Sequence, residues 1–340
     1  MKRALVTGIT GQDGAYLAQH LLQQGYEVYG GIRRTSTRAL WRLEELGIAD
    51  RVKLVDFELL ETTNLISAIR EIRPNEIYNL AAQSFVGVSF KIPTFTGDVD
   101  GLAVARLLEA IRAIDPAIRF YQASTSEMFG KVRETPQTEE TPFHPRSPYA
   151  VAKLYGHWMT INYRESYGMH TCSGILFNHE SPLRGSEFVT RKITMGLAAM
   201  ANGNPAPLEL GNTLASRDWG HARDYVVGMW KMLQVDVADD FVLSTGETHT
   251  VEEFATHAAA VVGFDLVWDG EGVARKARDR KTGKDVIKTN PAFFRPAEVD
   301  LLIGNPAKAK ERLGWAPTTS FASLCEEMIS ADVVRLKRSK

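Results

Sequence analysis

The 340-residue chain has the length of roughly two domains, and its composition excludes several function classes. With 40 basic and 41 acidic residues the net charge is -1, so nothing attracts the whole chain to nucleic acid or to an anionic membrane. No apolar run is long enough for a membrane span or a signal-peptide core. Cys172 and Cys325 lack metal or redox spacing, and the eight histidines show no metal-ligand spacing. We therefore expect a cytoplasmic protein without a metal, membrane or nucleic-acid partner.

The first elements are typical of a dinucleotide-binding unit. Residues 4–7 predict an apolar strand, residues 8–14 a glycine turn and residues 16–22 a helix. The first glycine permits the tight turn, the second lets the backbone approach a pyrophosphate, and the third allows close helix packing. A G-x-x-G-x-x-G turn is a weak signal alone, because glycine turns commonly join strands to helices, but its place at the first strand strengthens it. The predicted cofactor contacts in this turn are Gly8, Thr10, Gly11, Gln12, Asp13 and Gly14.

The residues after the second predicted strand, 27–32, indicate which cofactor is bound. NAD sites usually place an acidic residue here for the ribose 2′-hydroxyl, whereas this chain has Arg33 and Arg34. Two guanidinium groups suit a 2′-phosphate. The alternative is a solvated basic loop, but the position favours NADP. Asp56, after the third predicted strand at 52–55, is expected at the adenine end.

A fourth predicted strand, 76–84, ends in small residues beside which a cofactor can pass. Leu80, Ala81 and Ala82 are the expected cofactor contacts there, although tight packing alone also explains them. A helix over residues 101–114 and a strand over residues 119–123 follow. The alternation of strands and helices predicts an α/β fold with a doubly wound parallel sheet of Rossmann type.

The candidate catalytic residues lie after the fifth strand and on the next helix. Thr125 and Glu127 follow the strand, and Tyr149 lies four residues before Lys153, so those two side chains share one helix face. A phenol titrates near about 10, and a neighbouring ammonium is expected to lower that pKa. Capping hydroxyls and an exposed Tyr–Lys pair are the alternatives. Tyr149 is the one tyrosine of ten with a lysine four residues later, which favours an active site that transfers protons.

These motifs resemble the extended short-chain dehydrogenase/reductase family, and within it the enzymes that dehydrate GDP-linked sugars. The most specific runs are N-H-E-S-P at 178–182 and R-D-W-G-H-A-R-D-Y at 217–225. The chain departs from the family at Phe85, where a histidine is common, at residues 56–58, and at Ser126, where dehydratases of dTDP-glucose carry an aspartate. The similar stretches are 8–15, 33–34, 79–86, 124–130, 147–153, 176–185, 188–193, 217–225 and 294–302.

The resemblance implies a mechanism. Tyr149, with Lys153 and Thr125, would take the proton from the hexose 4-hydroxyl while hydride leaves C4 for NADP. Glu127 would then remove the C5 proton and assist loss of the C6 hydroxyl as water, after which hydride returns to C6. GDP-mannose is the implied substrate. The alternatives are another GDP-sugar such as a heptose, a nucleotide-sugar epimerase or reductase, which Glu127 disfavours, and an NADP-binding regulator.

The resemblance also implies substrate contacts and an assembly. A dimer or tetramer is expected, with the Arg33-Arg34 loop reaching a neighbouring subunit. The implied substrate contacts are Ser84, Ser126, Asn178, Val189, Lys192, Arg217, Arg295 and Glu298.

Two domains are predicted from the change in pattern after residue 177. The cofactor domain spans residues 1–177 with a return segment at about 220–246. The smaller, interrupted substrate domain takes residues 178–219 and 247–330, and residues 331–340 form a basic tail. The charged stretch at 275–288 is expected to be a solvated loop, and the tail is expected to fray from Arg335.

Overall fold

The computed structural model describes residues 1–37, 39–293 and 302–338. In chain order the strands are β1 (Arg3–Thr7), β2 (Glu27–Ile32), β3 (Lys53–Asp56), β4 (Glu76–Asn79), β5 (Arg119–Thr125), β6 (Thr171–Leu176), β7 (Asn178–Glu180), β8 (Leu208–Leu210), β9 (Ser216–Arg217), β10 (Trp219–His221), β11 (Asp240–Leu243), β12 (His249–Thr250), β13 (Leu266–Asp269), β14 (Lys276–Asp279) and β15 (Asp285–Thr289). The helices are α1 (Gln12–Gln23), α2 (Trp41–Glu45), α3 (Thr62–Ile72), α4 (Val86–Ser89), α5 (Pro93–Gly97), α6 (Ala103–Ile114), α7 (Pro148–Tyr167), α8 (Val189–Ala201), α9 (Ala222–Met232), α10 (Val251–Val261), α11 (Ala307–Leu313) and α12 (Phe321–Arg338).

Within the described residues, seven parallel strands form the central sheet in the order β3-β2-β1-β4-β5-β6-β11. The chain winds outward from β1 to β3 and then, starting again at β4, winds outward in the other direction. The predicted doubly wound sheet of Rossmann type is therefore confirmed. In such sheets the ligand crevice lies outside the carboxyl ends of the strands where the winding reverses, which here is between β1 and β4.

Helices cover both faces of the sheet, and each strand contributes to both cores because successive residues point to opposite faces. In β1, Ala4 and Val6 join the core that α1 and α9 cover, whereas Leu5 joins the core that α3 and α6 cover. In β4, Tyr78 and Ile77 divide in the same way. A strand buried on both faces needs apolar residues at nearly every position, which explains the apolar run that predicted β1.

A second lobe forms around a mixed four-stranded sheet in the order β13-β14-β15-β8. Strands β13, β14 and β15 are antiparallel neighbours, and β8 lies parallel to β15. Helices α8, α10 and α12 share a core with this sheet, in which Leu197, Phe254, Ile287 and Met328 are fully buried. The lobe therefore has its own apolar centre.

The expectation of a solvated loop at 275–288 is wrong, because β14 and β15 form a hairpin there. The charges lie on its outer side, where the carboxylate of Asp285 pairs with Arg278 at 3.2 Å and with Lys288 at 3.2 Å. Between the charged residues, Ala277 and Ile287 are completely buried in the core of the second lobe. With Val286 there are three buried apolar positions, two of them adjacent, and these were too few to reveal the strand period among so many charges.

The carboxyl-terminal region differs from the predicted boundaries. Helix α11 lies inside the range assigned to the substrate domain, yet Leu313 and Trp315 pack in the core of the central sheet. The expected fraying from Arg335 is also wrong, because α12 continues to Arg338. The carboxylate of Asp332 accepts a hydrogen bond from Arg191 at 2.9 Å, and Arg335 pairs with Glu45, so buried and interlobe contacts hold this end.

Candidate active site

A cavity of about 920 Å³ lies at the carboxyl ends of the central strands, at the reversal of winding between β1 and β4. It brings together the glycine turn, the end of β5 and the start of α7. The predicted residues that line it are Gly8, Thr10, Gly11, Gln12, Asp13, Gly14, Arg33, Leu80, Ala81, Ala82, Ser84, Thr125, Ser126, Glu127, Tyr149, Lys153 and Asn178.

The glycine turn has the close packing that a dinucleotide site requires. Gly8 adopts φ +66, and a Cβ there would lie 2.9 Å from the backbone nitrogen of Ala81. A Cβ on Gly14 would lie 2.3 Å from the carbonyl oxygen of Gly8. The turn therefore admits no side chain at either position, and it leaves the amino end of α1 facing the cavity. Such a helix end donates backbone N–H groups to anionic oxygen.

The catalytic candidates meet because β5 and α7 pack against each other. Ser147 caps α7 by accepting a hydrogen bond from the Ala150 N–H at 3.1 Å, which sets the first helical turn. Tyr149 and Lys153 then lie on the buried face of the helix, 8% and 3% exposed. The Lys153 ammonium donates to the Ala123 carbonyl at 3.0 Å and lies 5.8 Å from the centre of the Tyr149 ring.

Thr125 and Glu127 face this pair from the end of β5. The Thr125 hydroxyl accepts a hydrogen bond from the Glu127 N–H at 3.2 Å, which fixes the short turn after the strand. Thr125 also hydrogen-bonds with Tyr149 and lowers its pKa. Glu127 is half-buried and lines the cavity. The arrangement places a phenol, a hydroxyl, an ammonium and a carboxylate around one space.

The prediction that Lys153 lowers the pKa of Tyr149 is wrong for the protein alone. Burial raises the pKa of Tyr149 well above its ordinary value, and the negative charges of Asp100 and Glu127 raise it further. Burial also lowers the pKa of Lys153. Loss of water disfavours the charged form of each group, and this effect exceeds the attraction that the sequence spacing suggested.

A buried ion pair beside the glycine turn was not predicted. The Nε2 atom of His179 lies 2.8 Å from the Asp13 carboxylate, and its Nδ1 atom lies 2.7 Å from the Phe177 carbonyl. Both partners only accept hydrogen bonds, so both ring nitrogens carry protons and His179 is an imidazolium. The pKa of His179 is raised by Asp13 against the effect of burial, and that of Asp13 is lowered by His179. The pair joins the turn to β7.

Two arginines, Arg42 and Arg184, also line the cavity, and neither was predicted to lie there. Arg42 donates from Nε to the Leu183 carbonyl at 2.6 Å and from Nη1 to the Thr10 carbonyl at 2.8 Å. The Arg184 guanidinium lies 3.6 Å from the centre of the Phe188 ring. Arg42 connects the glycine turn with the loop between β7 and α8, whereas the Arg184 contact stays within that loop. The partners of Arg42 are distant in sequence, so no local motif signals its contacts.

Several predicted site residues do not line the cavity. Arg34 is exposed and pairs with Asp56 at 3.9 Å. Lys192 lies 3.6 Å above the Phe293 ring, Val189 is the first residue of α8, and Arg217 lies 7% exposed in β9. The structure does not bring these five residues to the walls of the cavity. The predicted contacts Arg295 and Glu298 lie outside the described residues.

The described residues contain neither a cluster of metal ligands nor a membrane-spanning helix. In residues 1–37, 39–293 and 302–338, no three acidic, histidine or cysteine side chains cluster as metal ligands would. No helix in the same ranges is both long enough and apolar enough to cross a membrane.

Comparison with known proteins identifies the family. Residues 5–328 match the family described as GDP-mannose 4,6 dehydratase. A GDP-mannose 4,6-dehydratase of Yersinia enterocolitica is 49% identical over 99% of this chain and 95% of its own. A GDP-mannose 4,6 dehydratase 2 of Caenorhabditis elegans is 50% identical over 99% of this chain and 90% of its own.

Solved structures show the same fold. A UDP-glucose 4-epimerase of Thermotoga maritima has TM-score 0.82 and 21% identity over 99% of each chain. A dTDP-glucose 4,6-dehydratase of Streptomyces venezuelae has TM-score 0.81 and 21% identity over 99% of this chain and 98% of its own. These structures show the fold alone, whereas the matches in sequence show the family. The chain belongs to the GDP-mannose 4,6-dehydratase family.

Proposed function

We propose that the chain converts GDP-mannose to GDP-4-keto-6-deoxymannose and water. The observation that carries this proposal is the meeting of Thr125, Glu127, Tyr149 and Lys153 in the cavity that the glycine turn also lines. A base for the sugar hydroxyl and a separate carboxylate for the neighbouring carbon are the two groups that a 4,6-dehydration needs. Relatives at 49–50% identity bear the name of this activity, which supports GDP-mannose as the substrate.

NADP is the proposed cofactor, and the residues present fit it. The turn at Gly8 and Gly14 leaves room for a pyrophosphate at the amino end of α1, and Arg33 lines the same cavity. Arg34 lies beside it in sequence, next to Asp56, so two guanidinium groups are available for a 2′-phosphate. When bound, the nicotinamide supplies the hydride acceptor for C4 and the hydride donor for C6.

Tyr149 is the proposed base for the 4-hydroxyl. Burial keeps it protonated in the protein alone, so the phenolate needs stabilisation at the moment of reaction. Lys153 supplies a positive charge beside the ring, and Thr125 supplies a hydrogen bond that lowers the pKa of the phenol. The three side chains together allow the phenol oxygen to accept the substrate proton.

Glu127 is the proposed group for the elimination. A ketone at C4 makes the C5 proton acidic, and the half-buried carboxylate that follows β5 would remove it. The same group then delivers a proton to the C6 hydroxyl, which leaves as water. A positioned acid–base group contributes about 10²- to 10⁴-fold to such a step.

The substrate contacts are proposed in two groups. Ser84, Ser126 and Asn178 line the cavity, and we assign them to the sugar diphosphate. The nucleotide end would contact Val189, Lys192 and Arg217, which lie beyond the cavity walls. Arg295 and Glu298, which lie outside the described residues, are proposed as further contacts there.

A homo-oligomer is proposed from the outer face of α7. Val151, Tyr155 and Trp158 follow helical spacing and are 56%, 43% and 54% exposed. Leu102, on the neighbouring turn, is 46% exposed. A row of large exposed apolar side chains of this kind marks an interface, so we assign it to a second copy of the chain. The two cysteines are buried thiols, which fits the proposed cytoplasmic location.

The reaction is tested with GDP-mannose deuterated at C4 and a catalytic amount of NADP. Deuterium at C6 of a 4-keto-6-deoxy product, detected by mass spectrometry and NMR, is the expected result. Deuterium retained at C4 of an isomerised sugar would instead mean an epimerase. Absence of conversion with cofactor bound, repeated with a GDP-linked heptose, would leave a binding protein rather than an enzyme.

The Glu127→Gln variant separates the two halves of the reaction. We expect oxidation at C4 to continue and elimination to slow by about 10²- to 10⁴-fold. Reduced nicotinamide should therefore accumulate when the variant with bound NADP is mixed with GDP-mannose, and its absorbance band should rise. Undiminished dehydration by this variant would remove Glu127 from the role of base.

The cofactor proposal is tested by removing both arginines of the loop after β2. Arg33→Ala with Arg34→Ala should weaken binding of NADP more than binding of NAD, because only NADP carries the 2′-phosphate. Arg51→Ala, an exposed arginine before β3, is the matched control and should change neither. Equal losses for the two cofactors in the double variant would contradict the proposal.

A further inference from the structure

Asp100 is a buried carboxylate close to the catalytic pair that the mechanism above does not use. It is 1% exposed and lies on the π-helical turn Asp98–Leu102 between α5 and α6. Its Oδ1 atom accepts a hydrogen bond from the Gln83 N–H at 2.7 Å. Its Oδ2 atom is buried without a hydrogen-bond partner among the described residues. Buried polar atoms are nearly always paired, so this oxygen requires an explanation.

Close packing with α7 places this turn beside the catalytic pair. A Cβ on Gly156 would lie 3.2 Å from the Asp100 carbonyl, and one on Gly101 would lie 3.2 Å from the Ala152 carbonyl. Glycine at both positions lets the two backbones approach. Local π-helical turns recur at functional sites because they redirect single side chains. Here the turn holds a buried carboxylate and packs its backbone against the helix that carries Lys153.

Lys153 needs a negative charge in this position. It is 3% exposed, and its hydrogen bond goes to an uncharged acceptor, the carbonyl of Ala123. Burial lowers its pKa, and the charges that oppose this effect belong to Asp100 and then Asp13. Asp13 is already bonded to His179. Asp100, by contrast, accepts only the Gln83 N–H, and among the described residues no cation lies within 4.0 Å of its carboxylate.

We propose that Asp100 is the counter-ion of Lys153, a positioning residue that keeps the buried lysine charged beside Tyr149. The proposal deepens the proposed function, since it rests on the roles given there to Lys153 and Tyr149. Asp100 does not line the cavity, so it acts through Lys153 and not on the substrate. An unpaired buried ammonium would lose its proton, and with it the ability to stabilise a phenolate.

The charges around Asp100 are consistent with this role. Burial raises its pKa to about 6, and the charge of Lys153 opposes that rise. The carboxyl is therefore largely ionised at neutral pH. The groups that face it are Lys153 and Tyr149 from α7 and the Gln83 amide from the loop after β4. Its charge also raises the pKa of Tyr149, so it favours the protonated phenol in the protein alone.

Asp100→Asn tests the proposal, since the amide oxygen retains the acceptor for Gln83. In the unmodified protein, kcat should fall at high pH, where Lys153 loses its proton. In Asp100→Asn this high-pH limb should lie about one pH unit lower. KM for GDP-mannose should not change. The matched control is Glu139→Gln, another acid whose pKa is raised by burial and which accepts one backbone N–H, from Val242. The control should leave the limb in place, and coincident profiles for Asp100→Asn and the unmodified protein would overturn the proposal.

A second measurement needs no turnover. In protein labelled with ¹³C at lysine Cε, the Lys153 resonance is assigned by its loss in Lys153→Arg. We expect an inflection in its shift near pH 6, where Asp100 titrates, that disappears in Asp100→Asn and persists in Glu139→Gln. If the aspartate variant does not fold, the unmodified protein decides, because a flat titration near pH 6 overturns the pairing. A protein that shows the inflection without turning over GDP-mannose would refute the proposed function alone.

Discussion

The ion pair between Asp13 and His179 should be a measurable part of the stability of the protein. It joins the first turn of α1 to β7, two segments 166 residues apart. The carboxylate side chain is 23% exposed and the imidazole 10% exposed. Removing one partner of a buried pair costs about 3–5 kcal/mol, and the partial exposure of Asp13 favours the lower end. We expect Asp13→Asn to lower the free energy of unfolding by about 3 kcal/mol at pH 6.

The pH dependence of this contribution follows from the directions of the two pKa shifts. The pKa of His179 is raised, so its contribution is fully present below its unfolded value of 6.5 and is lost as pH rises through the folded value. The pKa of Asp13 is lowered, so its contribution is present above 3.8 and is lost as pH falls through the folded value. The pair should therefore stabilise most between pH 3.8 and 6.5.

A double-mutant cycle measures the pair directly. Asp13→Asn, His179→Gln and the combined variant are unfolded in urea without nucleotide at pH 6 and pH 9, with Asp50→Asn as an exposed control. The coupling free energy should be about 2 kcal/mol at pH 6 and smaller at pH 9. A coupling below about 0.5 kcal/mol at pH 6, within the error of additivity for independent sites, would refute the assignment. So would a coupling that grows with pH.

Two further predictions concern packing and assembly. Gly174→Ala should destabilise the protein by about 1–3 kcal/mol in urea unfolding, because the new Cβ would lie 2.3 Å from the Tyr121 hydroxyl oxygen. Gly97→Ala has no atom within 4 Å of its Cβ and should be neutral or stabilising, so equal effects would contradict the packing argument. Trp158→Glu should shift sedimentation toward a smaller species, because it charges the apolar row on α7. The control Val237→Glu, at a site 65% exposed and outside that row, should not.

Local signals explain what the sequence predicted well. The apolar runs of the sheet, the glycine turn and the four-residue spacing of Tyr149 and Lys153 each lie within one or two neighbouring elements. Their geometry follows from strand and helix periods, so the doubly wound sheet and the residues around the cavity could be inferred before any contact was seen. The resemblance added the role of Glu127, which no period or spacing provides.

The features that the sequence did not predict depend on distant segments or on burial. His179 lies 166 residues from Asp13 and Leu183 lies 141 residues from Arg42, so only the folded chain brings each pair together. The strands at 276–279 and 285–289 were hidden because their outward charges outnumber their buried apolar residues. The residue pattern reveals a strand or helix only when one face of the element is clearly apolar and the other clearly polar.

Burial also changes the meaning of the motif that located the active site. On an exposed helix, an ammonium near a phenol would promote the phenolate, but at this site desolvation acts on both groups in the direction of neutrality. The pair can transfer a proton only if other groups restore the charges that burial disfavours. Thr125 does this for the phenol, and we assign the same task for Lys153 to Asp100. The chemistry of this site therefore depends on a residue outside the cavity, which explains why the Tyr–Lys spacing alone does not make an active site.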